Sequence, residues 1–238
     1  MKIIQRIAEN QSSYGKNRAV TIAFLGDSVT QGCFDVYKNR DGELIPVFDI
    51  RHSYVQYTSQ IFNMLYPNVT FNIINAGLSG DRASSAVTRL ERDVLSYKPD
   101  LVVVCYGLND CKGTIDSYVN SLRKIFTALK ESEIEIIFMT PNMMNTRISP
   151  HLSDPDVIKI SEECARIQND GLFDKFMDGA RALCDEMSVP VCDCYAIWKK
   201  LYENGVNVTE LLSNRINHPT KEMNAMFAYE LVKAMLEI

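Results

Sequence analysis

"AVTIAFLGDSVTQG" (residues 19–32) joins an apolar run to a glycine, an aspartate and a serine. The apolar and β-branched residues before Gly26 predict a buried strand, because a strand covered on both faces is apolar at nearly every position. Taken alone, Gly-Asp-Ser after a strand is most often a turn and a helix cap. The same stretch would also deliver a serine nucleophile to the edge of a sheet, and the sequence downstream decides between these readings.

Short apolar runs of the same kind recur along the chain, at 69–77, 101–107, 134–140 and 189–195. Segments with helical spacing separate or follow them, at 54–66, 83–97, 115–131, 156–187 and 220–237. This alternation predicts parallel strands joined by right-handed crossovers. We therefore expect an α/β fold, a three-layer sandwich around a five-stranded, mainly parallel sheet. Without internal repeats or a break in composition, residues 1–238 are expected to form one domain.

Three segments are less regular. The long helical stretch 156–187 contains the turn signal Asn169-Asp170-Gly171, which predicts either two helices or one kinked helix. Residues 33–53 have no clean periodicity and are predicted to form a loop beside the end of the first strand. Residues 141–155 form a long connection after the fourth strand. Because sites in such sheets lie at the carboxyl ends of the strands, both loops are expected to wall the site.

Composition narrows the classes of function. The 238 residues carry a net charge of −5, and no basic patch points to nucleic acid or an anionic membrane surface. No apolar stretch is long enough to span a bilayer, and the first residues lack the apolar core of a signal peptide. The seven cysteines are odd in number and lie mostly inside predicted strands and helices, which favours a reducing cytoplasm.

Cofactor and metal signatures are absent from the sequence. It has no Walker loop, G-x-G-x-x-G, HExxH or CxxC pattern, and its three histidines are isolated from one another. We therefore expect neither a cofactor nor a metal. Arg82, Arg147 and His151 lie on the expected wall loops, where they could contact a polar acyl donor, although solvated loop residues are the more ordinary interpretation.

Four candidate site residues fall at predicted strand ends or just before the last helix. They are Ser28 in "GDSVTQG", Gly80 in "NAGLSGD", Asn109 in "YGLND" and His218 in "NHP". Each alone is ordinary, but their chemistry is complementary. An imidazole can take the proton of a serine nucleophile, and backbone N–H groups with a side-chain amide can hold the resulting oxyanion.

These four blocks resemble the SGNH (GDSL) hydrolases, serine esterases and lipases of flavodoxin-like α/β fold. The match runs from residue 24 to residue 219 in the family's order. The resemblance implies that Ser28 is the nucleophile and His218 the general base and acid. It also implies an oxyanion hole made by the N–H groups of Ser28 and Gly80 and by Nδ2 of Asn109, while Asp27 shapes the turn.

One position departs from the family. The aspartate usually found three residues before the histidine is Arg215 here, and one extra residue brings Asn214 into that place. An asparagine can orient an imidazole but cannot offset its developing charge. Three explanations stay open: a Ser–His dyad oriented by Asn214 or a backbone carbonyl, an acid from elsewhere such as Asp193, or a weak or inactive relative. We favour the dyad.

The predicted function is therefore a serine ester hydrolase acting through an acyl-Ser28 intermediate. The expected partner is a small-molecule ester substrate, such as an O-acetylated carbohydrate, because the chain shows no apolar docking helix for lipid. A catalytically weak relative that binds small molecules or carbohydrates is the alternative, as is a lysophospholipase or thioesterase. The sequence leaves the oligomeric state open.

Overall fold

The computed structural model describes residues 2–237. From the N-terminus its helices and strands are α1 (Lys2–Ser13), β1 (Val20–Gly26), α2 (Ser28–Gln31), β2 (Cys33–Lys38), β3 (Leu44–Phe48), α3 (Tyr54–Leu65), β4 (Phe71–Gly77) and α4 (Ala83–Asp93). They continue as β5 (Leu101–Cys105), α5 (Ile115–Glu131), β6 (Glu135–Met139), α6 (Pro155–Asn169), α7 (Leu172–Glu186), β7 (Val191–Cys192), α8 (Cys194–Glu203) and α9 (Lys221–Glu237).

The central sheet has the order β4-β1-β5-β6-β7, and every neighbouring pair is parallel. Strand β1 lies between β4 and β5 and is buried at all seven residues. Helix α3 packs against α9, while α4, α5 and α7 pack in a row. The predicted three-layer α/β sandwich with a five-stranded parallel sheet is confirmed.

The strand register brings the site-bearing turns together. Gly26 at the end of β1 lies beside Gly77 at the end of β4 and beside Cys105 at the end of β5. The segments that follow these three strands therefore leave the sheet at the same edge. They carry Ser28, Gly80 and Asn109 in turn.

The stretch 156–187 forms two helices. Asp154 caps α6 through its side chain, with Pro155 in the first turn where its missing N–H leaves no bond unmade. Gly171 separates α6 from α7 with a φ of +70°, a left-handed conformation that glycine adopts without steric cost.

The predicted loop at 33–53 is wrong in its first part, which forms the antiparallel hairpin β2–β3. Among residues 2–237 these two strands pair only with each other, and beyond Cys33 and Phe34 their side chains are exposed or half-buried. A hairpin without a buried face has no reason to alternate apolar and polar residues, so periodicity could not reveal it. Its base adjoins α2, because the Asp49 N–H donates to the Gly32 carbonyl at 2.9 Å.

The last predicted strand is shorter than expected. It ends at Cys192, and Asp193 caps helix α8 by accepting the Ala196 N–H at 3.2 Å.

Helix α1 was not predicted from the sequence. It is amphipathic, burying only Ile3, Ile7 and Asn10 among polar neighbours.

Candidate active site

Ser28 lies at the carboxyl end of the central strand, as the first residue of the short helix α2. The Asp27 carboxylate caps this helix by accepting the Val29 N–H at 3.0 Å. Position 26 has no room for a side chain, because a Cβ there would lie 2.1 Å from Thr30 Oγ1. The turn predicted from the sequence is therefore also a strand-to-helix corner that fixes Ser28 at the sheet edge.

His218 meets this serine directly. Its Nε2 lies 2.8 Å from Ser28 Oγ, and both side chains are buried. The loop that carries the histidine is tied at its base, where the Ser213 N–H donates to the His218 carbonyl at 2.7 Å. Burial lowers the pKa of His218 to about 4, so the imidazole is neutral at pH 7.

The predicted oxyanion donors lie beside the pair. Asn109 Nδ2 donates to the Asp81 carbonyl at 3.0 Å and lies 3.5 Å from Asp27 Oδ2, so its amide touches the residues next to Gly80 and Ser28. Within residues 2–237, neither the Ser28 N–H nor the Gly80 N–H has a hydrogen-bond acceptor. Both are therefore available to a substrate oxygen.

Glycine at position 80 is explained by its backbone conformation. A Cβ there would meet no protein atom within 4 Å, so packing does not require glycine. Its φ of +77° is instead a left-handed conformation that ordinary residues adopt only at a steric cost. Glycine is thus needed for the path of the backbone.

Comparison with known proteins now assigns the chain. The sequence profile described as "GDSL-like Lipase/Acylhydrolase family" matches residues 24–226. The chain belongs to this family. The match confirms the resemblance to SGNH (GDSL) hydrolases and supports the prediction of a carboxylic ester hydrolase.

Individual relatives agree with the family. An acetylxylan esterase of Geobacillus stearothermophilus is 28% identical over 132 residues, 50% of this chain and 58% of that protein. The structure of Axe2, an acetylxylan esterase from the same organism, matches with a TM-score of 0.66 at 21% identity, over 91% of this chain and 94% of that one. A two-domain esterase (CEX) active on acetylated mannans gives a TM-score of 0.67 at 18% identity, over 99% of this chain. The chain spans only 52% of that esterase, about half its length.

Asn214 occupies the place next to the histidine where the resemblance to GDSL hydrolases leads one to expect an acid. Its Nδ2 lies 2.9 Å from His218 Nδ1 and 3.0 Å from Asn217 Oδ1. Its Oδ1 accepts three backbone N–H groups at 3.0 Å each, from Ile216, Asn217 and His218. Three donors around one atom identify that atom as the oxygen, which fixes the orientation of the amide.

This orientation decides the tautomer of the histidine. An amide NH₂ only donates, so His218 Nδ1 must accept, and the proton of the neutral ring then sits on Nε2. In that tautomer Nε2–H donates to Ser28 Oγ and cannot take the serine's proton. Ser28 and His218 are thus in hydrogen-bond contact, but this tautomer of the histidine cannot act as a general base toward the serine.

The suggestion that Asp193 supplies the missing acid is wrong. Its carboxylate binds Arg181 at 2.9 Å and Thr140 Oγ1 at 2.8 Å. Arg215 is not a substitute either, since its side chain pairs with Glu210 at 2.8 Å. The group that contacts His218 Nδ1 is the Asn214 amide.

Two buried acids lie near the predicted oxyanion donors. Burial, with smaller contributions from the nearby carboxylates of Asp110 and Asp81, raises the pKa of Asp27 to about 7 against the opposing Val29 hydrogen bond. Burial also raises the pKa of Asp110 to about 6, and its Oδ2 has no hydrogen-bond partner among the described residues. Near neutral pH these carboxyls carry less negative charge than ordinary aspartates, which favours an oxyanion close by.

Sequence reasoning missed the residues that support the histidine loop. Asn142 Nδ2 donates to the Asn217 carbonyl at 2.8 Å, and the Asn145 N–H donates to the Ile216 carbonyl at 2.8 Å. Both belong to the connection after β6 that was expected to wall the site. Asparagine is common in loops, so nothing in the sequence distinguished these two.

The other polar residues expected on the wall loops make no hydrogen bond to Ser28 or His218 among residues 2–237. Arg147 Nε donates to Asn207 Oδ1 at 2.9 Å, while Arg82 and His151 are exposed. In the described part of the chain, no group of three or more His, Cys, Asp or Glu side chains could hold a metal ion. Between residues 2 and 237, no helix is both long and apolar enough to cross a membrane.

Proposed function

We propose that the protein is a serine ester hydrolase that removes small acyl groups, acetyl above all, from carbohydrates. The observation that carries the proposal is the 2.8 Å contact between Ser28 Oγ and His218 Nε2, beside the free N–H groups of the sheet edge. The substrate class is supported by the Geobacillus stearothermophilus matches named as acetylxylan esterase, one in sequence and one in structure, and by the esterase named as active on acetylated mannans.

The proposed reaction has two halves. Ser28 Oγ forms a bond to the acyl carbon while its proton passes to His218 Nε2, and the oxyanion accepts bonds from the donors at Ser28, Gly80 and Asn109. The carbon–oxygen bond to the sugar then breaks, and the departing sugar oxygen takes the proton from His218 and becomes a hydroxyl group. Water repeats the sequence on the acyl-enzyme, releasing acetic acid and restoring Ser28.

The first half requires a tautomer that the resting site disfavours. For Nε2 to accept a proton, the neutral ring must carry its hydrogen on Nδ1, facing the Asn214 NH₂ group. Either two donors then face each other or the amide turns over and loses three backbone hydrogen bonds. We therefore propose a slow esterase.

A substrate series tests this function. Wild type and Ser28→Ala should be compared on acetylated xylo-oligosaccharides, on p-nitrophenyl acetate and octanoate, and on a lysophospholipid. The proposal expects slow acetyl release from the first two substrates, lost in Ser28→Ala, with little turnover of octanoate or lysophospholipid. Preference for the long acyl chain would favour a lipase instead.

A second candidate is a carbohydrate-binding relative with little or no turnover. The specific observation in its favour is the Asn214 amide, which holds His218 as a donor toward Ser28. Saturable binding of acetylated oligosaccharides, together with hydrolysis no faster than in Ser28→Ala, would favour this candidate and refute the esterase.

A further inference from the structure

Arg89 is a buried cation beside the edge of the sheet from which the Ser28, Gly80 and Asn109 segments leave. It lies on α4, its side chain is 8% exposed, and it pairs with Asp81 through Nη2 at 2.5 Å and through Nε at 2.9 Å. A buried guanidinium is costly unless its N–H groups are satisfied. The partners that satisfy it show what it holds.

Three of these partners are chain segments that lead into the site. Arg89 Nη2 donates to the Gly26 carbonyl at 3.2 Å, two residues before Ser28. Its Nη1 donates to the Ala76 carbonyl at 2.8 Å, at the end of β4, where the Gly80 loop begins. Its Nη2 also lies 2.8 Å from the Tyr106 hydroxyl, just after β5.

Asp81 connects Arg89 to the third predicted donor, Asn109. Its carboxylate receives Arg89 and the Tyr106 hydroxyl, the latter at 2.8 Å. Its carbonyl accepts Asn109 Nδ2 at 3.0 Å, and its backbone follows Gly80 directly. One guanidinium is therefore tied to the segments that carry Ser28, Gly80 and Asn109.

We infer that Arg89 is a positioning residue, whose planar guanidinium holds the three oxyanion donors in the spacing that the transition state needs. The inference rests on the proposed esterase function. Arg89 acts through Gly26, Ala76 and Asp81, which it contacts, and is not itself one of the three donors. Lysine carries its donors on one nitrogen, whereas Arg89 binds Asp81, Ala76 and Gly26 from three nitrogens of a planar fork.

Arg89→Lys is the principal variant, and Arg92→Lys is its matched control. Arg92 lies on the same helix with its side chain 76% exposed, and its Nε pairs with Asp93 at 2.6 Å. Arg89 Nη1 also contacts Asp93, at 3.1 Å, so this control reports whether disturbing that shared carboxylate alone affects activity. Activity on p-nitrophenyl acetate is measured per active site titrated with a fluorophosphonate. Inhibition by phenylboronic acid is measured alongside, because its tetrahedral adduct with Ser28 places an oxygen at the donors.

Arg89→Lys is expected to lower kcat about 10²-fold and to weaken boronate inhibition by a similar factor, with KM little changed, as for misplaced oxyanion donors. Arg92→Lys should change neither. Tyr106→Phe removes one hydroxyl from the network and should give a smaller loss, up to about tenfold. It keeps the test decisive if Arg89→Lys does not fold.

The outcomes are distinct. If Arg89→Lys or Tyr106→Phe lowers only the melting temperature, while kcat per titrated site and boronate affinity match those of the wild type, the positioning role is refuted and the esterase stands. A wild-type protein that neither labels nor turns over refutes both proposals.

Discussion

Replacing Asn214 by aspartate should convert the resting site into a competent triad. One oxygen of the new carboxylate keeps the three backbone N–H groups that now surround Asn214 Oδ1. The other replaces Nδ2 and accepts the proton of His218 Nδ1, which frees Nε2 to act as a base. The Asn217 side chain, which has no other hydrogen bond among residues 2–237, can turn its NH₂ group toward the carboxylate.

The expected gain follows from the hydrogen bonds that the substitution spares. In the wild type, turning the Asn214 amide toward a base-competent His218 loses three hydrogen bonds. At about 0.5–1.5 kcal/mol each, that loss is about 1.5–4.5 kcal/mol. Asn214→Asp should therefore raise kcat by about ten- to a thousandfold, since each 1.36 kcal/mol is a factor of ten. A triad whose aspartate is replaced by asparagine loses about 10⁴, which bounds the effect.

The assay is the steady-state hydrolysis of p-nitrophenyl acetate as a function of pH. The new carboxylate should also raise the pKa of His218 from its wild-type value of about 4, because an opposite charge favours the imidazolium. The acid limb of kcat/KM should therefore move to higher pH. Asn217→Asp is the matched control, because it adds the same charge in the same loop but leaves the Asn214 amide in place.

An Asn214→Asp protein that is folded yet no faster than wild type would refute the tautomer argument. Equal gains in Asn214→Asp and Asn217→Asp would refute it as well, because a general effect of charge would then explain both.

Three further predictions concern pH and backbone. The kcat/KM of the wild type should fall as pH drops through about 4, where His218 protonates, and a loss of activity on acidification that already begins near pH 6.5 would contradict the burial argument. Because burial raises the pKa of Asp27 from 3.8 to about 7, the folded state keeps a proton that the unfolded chain loses, and stability falls as pH rises through that window. Asp27→Asn should therefore gain up to about 4 kcal/mol in urea unfolding at pH 8 and almost nothing at pH 4, whereas equal gains would refute the shift. Gly80→Ala should fold with a loss of about 1–2 kcal/mol and a marked fall in kcat. Gly205→Ala, also at positive φ with open space around it, should lose similar stability at unchanged kcat, and equal activities would show that the Gly80 backbone is not used.

The strands of the central sheet and the place of the site could be predicted from patterns that burial imposes on a sequence. Strand β1 is apolar because both faces are covered, and Asp154-Pro155 starts α6 because its side chain and ring suit a helix end. Such local signals can be recognised in the sequence without knowledge of the tertiary contacts. The hairpin β2–β3 was not predicted because most of its side chains are exposed or half-buried. Its sequence therefore lacks the apolar pattern that marks a buried strand.

The chemistry of the site was less accessible to sequence. Ser28 and His218 could be paired from their motifs, but the tautomer depends on three backbone N–H groups that converge only in the folded loop. Arg89 reads as an ordinary charge on an amphipathic helix. Its role depends on the carbonyls of two strands that its side chain meets only after folding.

The central claim is that Ser28 forms the acyl-enzyme. The direct measurement is a rapid acid quench of wild type and Ser28→Ala during turnover of p-nitrophenyl acetate, followed by peptide mass spectrometry. The account predicts one acetyl group on the peptide that contains Ser28 in the wild type and none in Ser28→Ala. Turnover without an acetylated Ser28, or acetylation and turnover that persist in Ser28→Ala, would contradict it.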